Sequence, residues 1–421
     1  MSVEITANPL DETASNNGDT ANGDYPYERR VIWLTSIGHG MMHVMELIYA
    51  GILPLLLLEF DLSLAQAGVL VFPGLVMLGA GSFPAGFLSD RWDSYRIFLL
   101  FFFGSALSCL LASISNSVWQ LAGSLAALGL FLSLYHPSGL GLISMGVRRK
   151  GLVMGIHGIF GSVGLAISPF LAGFLGVRFG WKTAFALPAV LSLLCGVAML
   201  FFPIRIAHHE IDEHGNKVRP TIEASTRRTL LWLYGIMIVL GFVYRGVMTY
   251  LPKFIGERFE VESLSAVVAG GLFASIALTI GGLGQMWGGH LSDKVDPFKL
   301  YNWVVPVYAP MLLIAAMFGG WPLILGMCIF FFFFFSGQPL ENQMLARATP
   351  PAWRSTSYGV KFGLNLGVGA LAAPVCGWIG DMWGMGWIFY SLALILLLAA
   401  AGVFRLRAVH ESGSRTALSQ G

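Results

Sequence analysis

The sequence predicts an all-α integral membrane protein of twelve transmembrane helices, arranged as two related six-helix halves. Three observations carry that prediction. Of the 421 residues, 56% are hydrophobic and only 11% charged, against about 25% charged in soluble domains. Apolar stretches long enough to cross roughly 30 Å of hydrocarbon recur along the whole chain. One charged loop also occurs twice. Residues 86–96, GFLSDRWDSYR, return as residues 289–299, GHLSDKVDPFK. Gly86, Leu88, Ser89, Asp90, Arg91, Asp93 and Arg96 match Gly289, Leu291, Ser292, Asp293, Lys294, Asp296 and Lys299 in identity or charge sign.

Residues 1–28 are polar, rich in acids, Asn and Gly, and lack the basic-then-apolar order of a cleaved signal peptide. They read as a disordered cytoplasmic tail. The apolar stretches then fall at 31–57, 64–88, 97–116, 118–144, 151–177 and 183–203, forming an N-terminal half over 29–203. A polar linker at 204–228 follows. The second set lies at 229–252, 264–291, 300–319, 321–345, 355–380 and 386–405, within a C-terminal half over 229–407, and 408–421 is a second tail. All twelve are expected to be helices, because an unclosed strand cannot satisfy its backbone in lipid. Fifty-two glycines suit close helix approach. Cys109, Cys195, Cys328 and Cys376 lie inside apolar stretches without a Cys-x-x-Cys pair, so neither a disulfide framework nor a zinc site is expected. A formal net charge of +2 gives no case for nucleic acid.

Lys and Arg set the orientation. With both termini in the cytoplasm, 19 of the 25 basic residues fall on that side and four (Arg178, Lys182, Lys253, Arg258) on the other. Arg245 and Lys361 remain inside the membrane. That bias predicts cytoplasmic termini. The duplication extends past the loops: Arg29-Arg30, Pro54 and Glu59 recur as Arg227-Arg228, Pro252 and Glu257. Gly155, Gly173, Gly176 and Gly180 recur as Gly359, Gly377, Gly380 and Gly384. Two halves that both start on the inside are parallel repeats, an arrangement that puts a substrate path between them near mid-membrane.

The Gly-x-Leu-Ser-Asp-Arg loop after span two, repeated after span eight, resembles the loop motif of the major facilitator superfamily. The likeness covers about residues 29–407 and implies a carrier working by alternating access. A narrower likeness is to the fosmidomycin-resistance type of drug exporter. His39, His43 and Pro54, followed by Tyr135-His136-Pro137, match its pattern of a span-one His and Pro and a later Phe-His-Pro. His43 stands at that family's acidic position, and the carboxylate comes three residues later at Glu46. In span five, Gly164, Ser168-Pro169 and Ala172-Gly173 resemble the antiporter motif of the superfamily, with Ser and Ala replacing two glycines.

Charged groups inside hydrocarbon are costly and mark function. Glu46 and Arg245 lie at nearly equal depth in the equivalent spans one and seven, so an ion pair or a shared substrate site between them is expected. Lys361 matches His157 in the repeat register. It is read either as snorkelling to the interface or as joining Arg245 and His157 around an anionic group. Glu341 is read as reaching the interface, or as a buried acid. His39, His43, Glu46 and Tyr49 share one helical face, and with His136 they form a polar stripe able to carry protons. No metal is expected, because His39, His43 and Glu46 lack a fourth ligand. The linker set His208, His209, Glu210, Asp212 and His214 reads as solvated. Asp90 and Arg91 with Asp293 and Lys294, flanked by Gly86 and Gly289, form a candidate gate that latches one arrangement of the halves. The Phe330–Phe335 run is read as facing lipid or packing.

The sequence therefore predicts a monomeric, proton-coupled exporter of a small anionic or drug-like compound in a bacterial cytoplasmic membrane, without a cofactor. Uptake of an organic anion by symport is the alternative. ATP drive is not supported, since no Walker A sequence is present. A membrane-embedded enzyme ranks lower, since no Gly-x-Ser-x-Gly or His-Glu-x-x-His sequence is present and the duplication suits alternating access better. A transport-dead sensor is a third possibility.

Overall fold

The computed structural model describes residues 27–92, 94–204, 224–349 and 354–420. Among them, twelve helices or helix pairs are long and apolar enough to cross a membrane, and no strand occurs. Fifteen helices build these spans. The N-terminal half contains α1 (Glu28–Glu59), α2 (Leu64–Trp92), α3 (Ser94–Ser113), α4 (Val118–Ser133), α5 (Tyr135–Gly146), α6 (Lys150–Phe179) and α7 (Trp181–Phe201). The C-terminal half contains α8 (Ala224–Arg258), α9 (Ala266–Ser292), α10 (Pro297–Val304), α11 (Tyr308–Met317), α12 (Gly320–Ala348), α13 (Arg354–Phe362), α14 (Ala372–Trp383) and α15 (Met385–Gln420).

Three spans are broken, and each break has a local cause or a functional address. Span four divides at Leu134 between α4 and α5. Pro137, three residues on, has no N–H and would crowd the Ser133 carbonyl. Span nine tightens to a 3₁₀ turn at Val305–Val307, where Pro306 and then Pro310 interrupt the donors. Span eleven runs from α13 through a π-helical segment, Gly363–Val368, into α14. Such bulges cluster at functional positions.

The duplication reappears in backbone geometry. Gly180 and Gly384 close α6 and α14 with φ of 91° and 92°. Each donates its N–H to the matched glycine four residues back, Gly176 at 3.0 Å and Gly380 at 2.8 Å. Pro54 and Pro252 lie inside the equivalent helices α1 and α8. One boundary differs from expectation. The last helix runs on to Gln420 instead of ending near 407, since beyond Arg407 only Gly413 opposes helix propensity.

The halves meet along two seams. In one, α6 lies on α9: Gly271 sits against the Pro169 carbonyl, and the Phe170 amide donates to Ser275 Oγ at 3.2 Å. In the other, α2 lies on span eleven, from Gly68 against the Ala373 carbonyl to Phe83 against Gly363. The aromatic run packs within its own half. Phe330, Phe331, Phe334 and Phe335 are buried; Gly281 of α9 admits Phe331 and Phe335 closely, and Gly284 lies against the Phe332 backbone.

Candidate functional site

Mid-membrane, α1 and α8 bring together the two charges that the sequence singled out. Arg245 approaches Glu46 Oε1 at 2.6 Å, with only 2% and 4% of the two side chains exposed. One ion pair thus joins the halves. The contact is made by one terminal nitrogen, Nη2, and leaves Arg245 Nε buried without a hydrogen-bond partner among the described residues. Unsatisfied buried donors are rare and expensive. A guanidinium with unused N–H groups is set to bind planar oxygens from a second anion.

Behind Glu46 runs a file of imidazoles. Glu46 Oε2 lies 2.8 Å from His43 Nδ1, His43 Nε2 lies 3.2 Å from His39 Nε2, and His39 Nδ1 lies 2.8 Å from the His157 carbonyl oxygen. The His157 ring stacks on His39 at 4.0 Å. His136 closes the cluster from α5, 5.4 Å from the His39 ring and 6.0 Å from that of His43. It also stacks on Phe362 of the opposite half at 5.8 Å. Local sequence explains the crowding. Gly161 of α6 lies so close to His39 that a Cβ there would stand 2.8 Å from Nε2, so only glycine leaves room for the ring. Tyr135 fixes the break in span four by donating from its hydroxyl to the Thr35 carbonyl at 2.5 Å. Tyr49, expected on the same stripe, instead donates to the Ala67 carbonyl at 2.6 Å and ties α1 to α2.

Lys361 corrects the sequence reading twice. It is 5% exposed and does not snorkel. It also does not gather with Arg245 and His157. Its Nζ lies 3.0 Å from Glu341 Oε2 and donates to Asn342 Oδ1 at 2.8 Å. Glu341 is itself buried and accepts from the Tyr301 hydroxyl at 2.9 Å. Lys361 and Glu341 thus pair with each other inside the C-terminal half. His157 belongs to the N-terminal cluster, so the register match between it and Lys361 is one of position and burial only.

The three antiporter-like positions sit where α1, α6 and α9 converge. Gly164 packs on the Gly40 backbone, the Pro169 carbonyl is wedged between Gly51 and Gly271, and Gly173 faces the Val267 carbonyl. Of the candidate gate, the side chains of Gly86, Asp90 and Arg91 lie outside the described residues, as do the linker histidines. Asp293 is exposed and accepts from Gln343 Nε2 at 3.0 Å, a contact within one half. Lys294 is exposed, and Gly289 is not tightly packed.

A latch that the sequence did not reveal lies at the face opposite the termini. Asp381 ends α14 and accepts from the Leu64 and Ala65 amides, both at 2.8 Å, capping α2 of the other half. Beside it, the Tyr250 hydroxyl reaches the Ala373 carbonyl at 2.6 Å and the Leu64 carbonyl at 3.2 Å. These bonds tie α8 and α14 to the start of α2 on that face.

Comparison with known proteins follows the same lines. Residues 35–361 match the family model described as Major Facilitator Superfamily. The chain is 24% identical over 261 residues to the nitrite extrusion protein of Bacillus subtilis, covering 59% of this chain and 61% of that one. It thus spans less than two thirds of that relative's length. It is 23% identical over 365 residues to the cis,cis-muconate transport protein of Acinetobacter baylyi, covering 80% and 84%. Among solved structures, a bacterial homologue of the human lysosomal transporter Spinster, in an inward-facing and unoccupied conformation, superposes with a TM-score of 0.77 at 15% identity. That match covers 93% of this chain and 99% of that one and shows a shared fold.

Proposed function

The chain belongs to the Major Facilitator Superfamily, and from that premise we propose that it is a multi-pass carrier of the bacterial cytoplasmic membrane. It moves a small anion together with a proton by alternating access, with both termini cytoplasmic. The observation that carries this reading is the buried Glu46–Arg245 pair between the halves. Relatives named for nitrite and for muconate support an anionic cargo.

The coupling follows from competition. An incoming carboxylate or oxyanion needs the guanidinium that Glu46 already occupies. Displacing a charged Glu46 into a water-poor site strands it, at a cost of about 3–5 kcal/mol. Protonating Glu46 removes that cost, so proton and anion bind together. His43, with His39 behind it, leads to that carboxylate. An inward proton gradient then drives uptake. Export by antiport is the second reading, favoured by the Gly164, Pro169, Gly173 motif at the α1–α6–α9 junction.

Proteoliposomes with an imposed pH gradient decide between them, using nitrite, nitrate, cis,cis-muconate and short carboxylates as cargo. Symport predicts that anion and proton cross in the same direction and that Glu46→Gln exchanges anion without moving protons. Opposite directions establish antiport. Wild-type exchange by Arg245→Gln would sink the anion-carrier reading.

A further inference from the structure

Three imidazoles converge in the N-terminal half, and the Nδ1 atoms of two of them, His39 and His43, are already committed. His39 Nδ1 lies 2.8 Å from the His157 carbonyl oxygen. A carbonyl only accepts, so that nitrogen carries its hydrogen. His43 Nδ1 lies 2.8 Å from Glu46 Oε2, and Glu46, held by Arg245, is a carboxylate acceptor. In neutral rings the two Nε2 atoms then present lone pairs to each other at 3.2 Å. Nothing in a neutral pair satisfies that contact. The third ring, His136, makes no hydrogen bond among the described residues, and one nitrogen of each ring lies within 4.8 Å of the others.

We propose that His39, His43 and His136 form a binding site for a divalent transition metal of the zinc class, with Nε2 of His39 and His43 as two of three ligands. Bonds of about 2.1 Å in tetrahedral geometry set neighbouring ligand nitrogens about 3.4 Å apart, close to the His39–His43 separation. His136 completes the set by turning inward about its side-chain bonds. A shared proton would join two rings and leave the third idle, whereas three convergent imidazoles match a metal's need. The partners on the far side of His39 and His43, one backbone carbonyl and one carboxylate, are those that orient histidine ligands in metal sites. Imidazole ligands favour zinc, copper, nickel and iron over magnesium or calcium. The fourth position faces the interior of the bundle. An ion here ties α1 to α5 and blocks the imidazole file.

The proposal stands on ligand geometry and is tested without any transported substrate. Full-length protein without an affinity-tag histidine is loaded with zinc, desalted and assayed for bound metal, then loaded with cobalt for visible spectra. The expected result is about one zinc per chain and the intense bands of tetrahedral cobalt. His39→Gln, His43→Gln and His136→Gln should each weaken binding at least tenfold, and Glu46→Gln by about 10–100-fold through loss of the orienting carboxylate. Alanine versions at each position, checked for monodisperse elution, separate ligand loss from a folding defect. A variant with His208, His209 and His214 all changed to Ala should bind as wild type. No retained zinc, an octahedral cobalt spectrum, or loss of binding only in the linker variant would each overturn the proposal.

Discussion

Asp381→Asn tests whether the face opposite the termini is held shut by a single carboxylate. Asp381 accepts two amide hydrogens from the first turn of α2, both at 2.8 Å. A hydrogen bond to a charged group contributes about 1.5–3 kcal/mol, and charge at a helix N-terminus about 0.3–1 kcal/mol. Asp381 is exposed, which places each contribution at the low end. Asparagine keeps one acceptor but turns an NH₂ donor toward the other amide. The net loss is about 1.4 kcal/mol, a tenfold shift toward the opened arrangement. Hydrogen exchange in lipid nanodiscs reads this shift. The Leu64 and Ala65 amides should speed up, but they would do so after any local loss of their acceptor. The deciding probe is the Phe170 amide, which donates to Ser275 Oγ across the other seam. If the halves open as rigid bodies, Phe170 should exchange about tenfold faster as well. Exchange at Phe170 within twofold of wild type would show that Asp381 only caps α2 and latches nothing.

Three further outcomes follow from the packing. Lys361→Met strands Glu341 and should destabilise the carrier by about 3–5 kcal/mol in thermal unfolding, while adding Glu341→Leu should restore most of it, since a buried pair can be replaced by apolar groups; a double variant no better than the single one would refute this. Gly161→Ala should push the His39 ring off the His157 carbonyl and cut transport and metal binding alike, whereas Gly155→Ala, with open space at its Cβ, should leave both unchanged. Gly180→Ala and Gly384→Ala should each cost about 1–3 kcal/mol, because both hold an extended backbone with positive φ that is nearly confined to glycine; unequal losses would argue that the two loops are not equivalent.

The residues that sequence reading found, and those it missed, divide along one physical line. Hydrocarbon penalises charge so heavily that Glu46, Arg245 and Lys361 stood out at once, and matched depth in α1 and α8 sufficed to pair the first two. The repeat fixed the architecture for the same reason: a copied Gly180 must keep the backbone that only glycine holds easily, and Gly384 does. Partners were harder. Glu341 looked like an interfacial acid because six residues separate it from Arg347, yet Tyr301 and Lys361 meet it from two other spans. His157 looked like a mate for Lys361 because symmetry equates their positions, although the halves place them in different clusters. Asp381 was invisible. It sits where any loop acid could sit, and its partners at Leu64 and Ala65 lie more than 300 residues away in sequence. Repeat symmetry offers no hint of it, because the residue matched to Asp381 is Val177, which cannot cap a helix.

That asymmetry shows how the two halves share the work. The N-terminal half carries the imidazoles and Glu46, while the C-terminal half carries Arg245 and Asp381, the carboxylate that joins the halves at the face opposite the termini. A duplicated carrier with identical halves would bind cargo and latch itself with the same groups. Here the Glu46–Arg245 pair and the Asp381 contact both cross the seam, yet each takes its acid from a different half. Opening the face at Asp381 therefore leaves Glu46 and Arg245 free to part or stay together according to what is bound. A carrier needs that independence if its outer face is to open both loaded and empty.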